Sequence, residues 1–291
     1  QNPMFNDKNM SDFTIDVLDQ IKAVDLEEYE EFLKVYKSAD SSKTETNGER
    51  GVKRKISALR SFYAYYYRHE MITTNPSVLI DVPKIHDKSI IRLDTDEVAL
   101  LLDYIEHCGD TLTGQKRMYY EKTKDRDLAI VTLLLGTGIR VSECVGLDVE
   151  DVDFKNNGIK VTRKGGNEMV VYFGPEVEKA LKKYLEVREN IIPLAGHEHA
   201  LFYSTQRRRI GVQAIENLVK KYAREITTTK KITPHKLRST YGTALYQETG
   251  DIYLVADVLG HKDVNTTKKH YAALDDARRR QAAKAVRLRE D

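Results

Sequence analysis

The run KDRDLAIVTLLLG at residues 124–136 leaves the chain few choices, because from Leu128 to Leu135 only Thr132 is not apolar. A helix that is apolar on every side must be surrounded. No run of about 18 apolar residues, the length a bilayer demands, occurs anywhere. The segment is therefore expected at the centre of a globular core, with its neighbours packed around it. It stops at Gly136-Thr137-Gly138, where glycine permits a sharp turn. Arg140 then opens a short helix with Val141, Cys144, Val145 and Leu147 as core candidates. An arginine pinned between two apolar segments is how a scaffold holds a binding side chain.

Around this centre the spacing predicts a mainly α chain with one small antiparallel β-sheet. Helices are expected at 14–22, 25–38 and 50–71, with a polar loop at 39–49. Residues 72–93 are irregular, with Pro76 and Pro83 as breakers. This divides the chain into a helical domain at 1–84, a linker at 85–93 and a larger α+β domain at 94–291. The second domain starts with a capped helix at 94–107, and residues 108–123 read as a connection. DVDF, GIKVT and EMVVYF are strand-like and separated by Asn156-Asn157-Gly158 and Gly165-Gly166-Asn167, which predicts three antiparallel strands with Lys164 at the second turn. Helices resume at 175–190, 210–226, 234–248, 251–259 and near 263–270, and a basic amphipathic tail covers 275–290.

The net charge of +2 hides a segregated distribution. Residues 12–31 hold eight acids and one lysine, 50–68 six basic residues and no acid, and 207–238 ten basic residues and two acids. Two basic stretches on separate elements suggest two faces meeting one polyanion. Lys53, Arg54, Lys55, Arg60, Arg207, Arg208, Arg209 and Lys236 are the candidate DNA contacts. Cys108 and Cys144 have no metal-ligand spacing, and two cysteines in 291 residues suggest a reducing compartment. GTGIR and KGG do not match a P-loop, so no nucleotide triphosphate is expected.

The stretch from His235 to Tyr271 carries the chemistry. His235 and Arg238 are three apart, so they share one helix face, and Tyr271 follows His261 by ten residues. A guanidinium offers phosphate an always-charged fork, imidazole moves protons near neutrality, and a tyrosine hydroxyl can act as a nucleophile. His235, His261, His270 and Asp263 lack a metal-ligand signature, and the nearby arginines would repel a cation, so no metal is expected.

These segments together resemble the tyrosine recombinase (phage integrase) family, which includes the Xer recombinases and mobile-element integrases. The resemblance rests on TGIRVSE (137–143), RKGGNE (163–168), HKLRSTYGT (235–243), LGHKDVNTT (259–267) and Tyr271, and spans roughly residues 14–288. It implies a helical core-binding domain followed by an α+β catalytic domain. It also implies site-specific cutting and rejoining of DNA, for integration and excision of a mobile element or for Xer-like resolution. By resemblance, Arg140 and Arg238 bind the scissile phosphate and Tyr271 attacks it to form a 3′-phosphotyrosyl linkage. Lys164 protonates the leaving 5′ oxygen, His235 assists proton transfer, His261 hydrogen-bonds the phosphate, and Glu143 supports the site by orienting His235 or Arg140. No metal, ATP or other cofactor is implied. The implied partners are double-stranded DNA with inverted-repeat core sites and three further copies of the chain, joined through the C-terminal helix in a cytoplasmic tetramer.

Two departures accompany the resemblance. The interval from His261 to Tyr271 is one residue longer than the spacing associated with Xer proteins. The family's first core-binding helix has no counterpart before residue 11, so an N-terminally shortened chain is expected, without an arm-binding domain. Two rival readings share the residues. A type IB topoisomerase uses the same chemistry as a monomer, and a non-catalytic DNA-binding regulator would not need the full set of Arg140, Lys164, His235, Arg238, His261 and Tyr271.

Overall fold

The computed structural model describes residues 13–37, 44–83, 90–163, 165–261 and 264. The chain forms two compact units, Gln1–Lys88 and Ser89–Asp291. None of the described helices is long and apolar enough to cross a membrane.

The first unit contains α1 (Val17–Gln20), α2 (Ala23–Lys34), β1 (Val35–Lys37), β2 (Thr44–Thr46) and α3 (Glu49–Arg68). Leu26 and Leu33 of α2 meet Val52, Ile56 and Tyr63 of α3, and Ile72 and Ile80 close the core. The Asp19 carboxylate accepts the backbone N–H groups of Thr73 and Thr74, each at 2.8 Å, which ties α1 to the returning chain. Those bonds, from Thr73 first, lower the Asp19 pKa. Two expectations are corrected here. The second helix ends at Lys34 rather than 38, because Val35–Lys37 pairs antiparallel with Thr44–Thr46. The first helix is only four residues long.

The second unit is built from α4 (Thr95–His107), α5 (Gly114–Thr137), α6 (Val141–Gly146), β3 (Val152–Asp153), β4 (Gly158–Thr162), β5 (Glu168–Tyr172), α7 (Pro175–Arg188), α8 (Val212–Ile226), α9 (Pro234–Thr249) and α10 (Ile252–Leu259). The strands run antiparallel in the order β3-β4-β5. As the apolar run requires, α5 is central and packs against α4, α7 and α9. Ala129, Ile130, Val131, Leu133 and Leu134 are fully buried. It begins ten residues earlier than expected: Thr113 takes the extended N-cap position, and Tyr120 and Thr123 continue the buried face. Where α5 passes α8 a polar cluster is enclosed. Arg126 donates to Asp127 and to the Tyr203 carbonyl, and the Tyr222 hydroxyl donates to the same carboxylate at 3.0 Å. Both cysteines are free and buried, and burial pushes the Cys144 thiol up to about 12, which makes it an inert core residue.

Candidate active site

Helix α5 ends on Gly138 in the left-handed conformation (φ +62°), with its N–H bonded to the Leu134 carbonyl. A Cβ at Gly138 would come within 2.4 Å of the Tyr241 ring, so only glycine fits. Ile139 is buried, and Arg140 is the extended N-cap of α6. Glu143, three residues on, accepts the Arg140 backbone N–H at 2.8 Å and its guanidinium at 2.7 Å. The first of these bonds is half of a capping box. The Arg140 side chain is thereby fixed yet remains 36% exposed.

Arg238 lies one turn into α9, which opens on Thr233 as N-cap and Pro234 at a first-turn position. It is only 5% exposed. Its guanidinium donates to the Gly138 carbonyl at 2.5 Å and to the Leu259 carbonyl. His235, on the same face, is exposed. Helix α10 ends on Gly260, again left-handed (φ +60°), and the His261 N–H returns to the Ala256 carbonyl at 2.9 Å. This C-cap fixes where His261 leaves the helix, half-buried.

The terminal carbonyls of α10 have no intrahelical partner and carry the negative end of the helix dipole. Three guanidiniums from separate segments gather on them. Arg140 donates to Gly260 O at 3.2 Å and Arg238 to Leu259 O. Arg163, directly after β4, donates to Leu259 O at 2.9 Å and Val258 O at 2.8 Å. Arg163 is 9% exposed and also stands 3.6 Å from Glu143. Burial lowers its pKa, with Arg140 adding to that and Glu143 opposing it. Three fixed guanidiniums outnumber the carboxylates that act on them, Glu143 and, at Arg163, Asp257, which leaves a cationic cluster suited to an anion with several equatorial oxygens.

Arg163 received no role from the sequence, although a signal was present. Ile159 and Val161 face inward and Lys160 and Thr162 outward, so the alternation turns residue 163 inward. Lys164 and Tyr271 lie outside the described residues, as do the helix expected near 263–270 and the tail. The turn between β4 and β5 is closed by the Arg163 N–H on Asn167 O at 2.7 Å, with Gly165 and Gly166 at positive φ.

The candidate DNA contacts divide. Arg54, Arg207 and Arg208 are exposed, and Lys53, Lys55 and Lys236 are half-buried, Lys55 sitting 4.9 Å from the Tyr36 ring. Arg60 is committed to the first unit, donating to the Ser77 carbonyl at 3.0 Å and the Ile80 carbonyl at 2.5 Å. Arg209 pairs with Asp148 and donates to the Val145 and Leu147 carbonyls at 3.1 and 2.7 Å. Both guanidiniums are thus engaged by backbone carbonyls of their own unit. No group of three or more His, Cys, Asp or Glu with metal-holding geometry occurs among the described residues.

A profile of the phage integrase family matches residues 92–278, most of the second unit. The chain belongs to this family. Among its relatives is the tyrosine recombinase XerC of Thermodesulfovibrio yellowstonii, 36% identical over 220 residues, which cover 75% of this chain and 69% of that protein. Two solved structures share the fold. The XerH site-specific recombinase bound to palindromic difH superposes with a TM-score of 0.69 at 21% identity, covering 91% of this chain and 72% of that one. The Tn1549 transposon integrase, in complex with circular intermediate DNA, superposes with a TM-score of 0.68 at 21% identity, covering 98% of this chain and 90% of that one. The chain is thus a tyrosine recombinase, an enzyme that cuts and rejoins DNA at specific sites through a tyrosine.

Proposed function

We propose that the pocket at the end of α10 is the scissile-phosphate site, with Arg140 and Arg238 on the two non-bridging oxygens. The observation that carries this reading is their meeting on the α10 terminus next to His261. Tyr271 attacks phosphorus in line. A bond forms between its oxygen and phosphorus, the bond to the 5′ oxygen breaks, and the DNA 3′ end remains on the enzyme as a phosphotyrosyl ester. Lys164 gives the departing 5′ oxygen its proton, His235 takes the proton of Tyr271, and His261 donates to the phosphate. Charge gathers on the equatorial oxygens in the transition state, so preorganised guanidiniums bind it better than the ground state. The ester conserves the energy of the broken bond, and attack by a 5′-hydroxyl reverses the step on a new partner strand.

The substrate in this reading is duplex DNA with inverted-repeat core sites, held by a cytoplasmic tetramer joined through the C-terminal helices. Arg54, Lys53, Lys55, Arg207, Arg208 and Lys236 supply backbone contacts. The biological task is Xer-like resolution or movement of a mobile element. Recombination between two plasmid-borne copies of one site supports the former, and joining of unlike element and target sites the latter.

The test uses a nicked suicide site, on which the 5′-hydroxyl fragment diffuses away after cleavage. The chain is expected to give a covalent adduct on a denaturing gel. Tyr271→Phe should bind the same DNA and give no adduct. An undiminished adduct from that variant would remove Tyr271 as nucleophile.

A further inference from the structure

We infer that Arg163 is a positioning residue for strand cleavage, holding the end of α10 and Glu143 so that the Arg140 guanidinium is aimed at the phosphate. The inference rests on the reading of Arg140 as a phosphate ligand.

Arg140 has two anchors, the Glu143 carboxylate at 2.7 Å and the Gly260 carbonyl at 3.2 Å. Arg163 reaches both. It stands 3.6 Å from the same Glu143 oxygen, and it grips the Val258 and Leu259 carbonyls immediately before Gly260. Its contact with Gly260 is close enough that a Cβ there would lie 2.8 Å from the guanidinium. The remaining Nε–H donates to the thioether of Met169 at 2.9 Å, so the fork is held from all sides.

Burial argues for a role beyond the fold. Removing a guanidinium from water costs several kcal/mol, and a well-packed apolar side chain often serves the fold as well as a buried ion pair. Ile159 and Val161 fill the preceding inward positions of the same strand, so an apolar residue at 163 would continue the pattern. What an apolar residue would not do is hold the α10 carbonyls and the Glu143 carboxylate in register for Arg140. Arg163 is deep and Arg140 is the partly exposed member of the pair, so Arg163 acts through Arg140 rather than on the phosphate.

The test is a double-mutant cycle on single-turnover cleavage of the nicked suicide site by the full chain. Arg163→Met should slow cleavage by about ten- to hundredfold, the range typical of residues that orient a binding group. Arg163→Lys, which keeps the charge but loses the fork, should recover only part of the rate. DNA affinity should change by less than about threefold. In an Arg140→Ala background the same Arg163 substitutions should add less than about twofold, because coupled residues are non-additive. A full, additive penalty in that background, or cleavage by Arg163→Met at the unsubstituted rate, overturns the inference. If Arg163→Met fails to fold, Arg163→Lys carries the cycle: an additive penalty or an unchanged rate from that variant overturns the inference in the same way. Unchanged cleavage by Arg140→Ala alone would instead overturn the phosphate reading of Arg140, a result distinguishable from either.

Discussion

At the scale of single residues, what distinguishes the site is that its guanidiniums tie separate segments to one helix end. Arg238 staples the α5 turn to the α10 terminus and is also proposed to bind phosphate. Lysine cannot bridge two carbonyls in a fixed plane. Arg238→Lys is therefore expected to lose about 10²–10³ in cleavage rate, as for removal of a preorganised donor, while DNA affinity stays nearly constant. A rate within a few fold of the original would show that charge alone suffices. Local spacing from a turn and a helix start made Arg140 and Arg238 visible in the sequence, and the family resemblance pointed to Glu143. Of the two partners suggested for Glu143, Arg140 bonds to it through both backbone and guanidinium. Arg163, Arg60 and Arg209 escape a sequence reading for one reason: whether an arginine faces solvent or caps a distant carbonyl depends on packing that no short window contains. Arg54 and Arg60 make the contrast measurable. Arg54→Ala should weaken DNA binding and reduce the slope of affinity against salt by about 1. Arg60→Ala should mainly destabilise the first unit, seen as a lower melting temperature.

Among elements, α10 is a short helix whose C-terminus serves as the assembly point. Gly260→Ala puts a Cβ against Arg163 at a φ of +60°. It is expected to cost about 1–2 kcal/mol in stability and to slow cleavage more than it weakens DNA binding, as read from thermal unfolding and single-turnover rates. The Asp127 cluster beneath α8 sets a pH limit. Burial and the adjacent Asp127 carboxylate raise the Tyr222 pKa, and burial pushes Tyr120 and Tyr184 up to about 12. A tyrosine with a raised folded-state pKa contributes stability that is complete below the ordinary tyrosine value near 10 and declines as pH climbs above it. Tyr222→Phe should therefore destabilise the second unit by about 1–3 kcal/mol at neutral pH, because Asp127 loses a donor. It should also flatten the alkaline fall in denaturation midpoint. Element identity was mostly legible because the strand turns and the apolar α5 run are strong local signals. The early start of α5 escaped because residues 108–123 read as a connection, yet Gly114 opens the helix directly behind its N-cap Thr113, at a positive φ that glycine adopts freely.

For the whole molecule, long-range assembly is the step the sequence cannot display by itself. Arg140 and Gly260 are 120 positions apart, and Arg163 and Leu259 are 96 apart, yet all four meet at one helix end. Resemblance to tyrosine recombinases anticipated that meeting for Arg140 and Arg238, and packing explains it: α6, α9 and β4 share the core built on α5, and α10 docks on α9 through a separate cluster of Tyr246, Val255 and Leu259. The claim that this pocket drives cleavage by Tyr271 is tested most directly by mapping the covalent bond. The adduct formed on a suicide site is digested with trypsin and nuclease, and the nucleotide-bearing peptide is sequenced by mass spectrometry. The expected result is HYAALDDAR, residues 270–278, carrying its added mass on Tyr271. A nucleotide on any other tyrosine, or on a serine, would contradict the account.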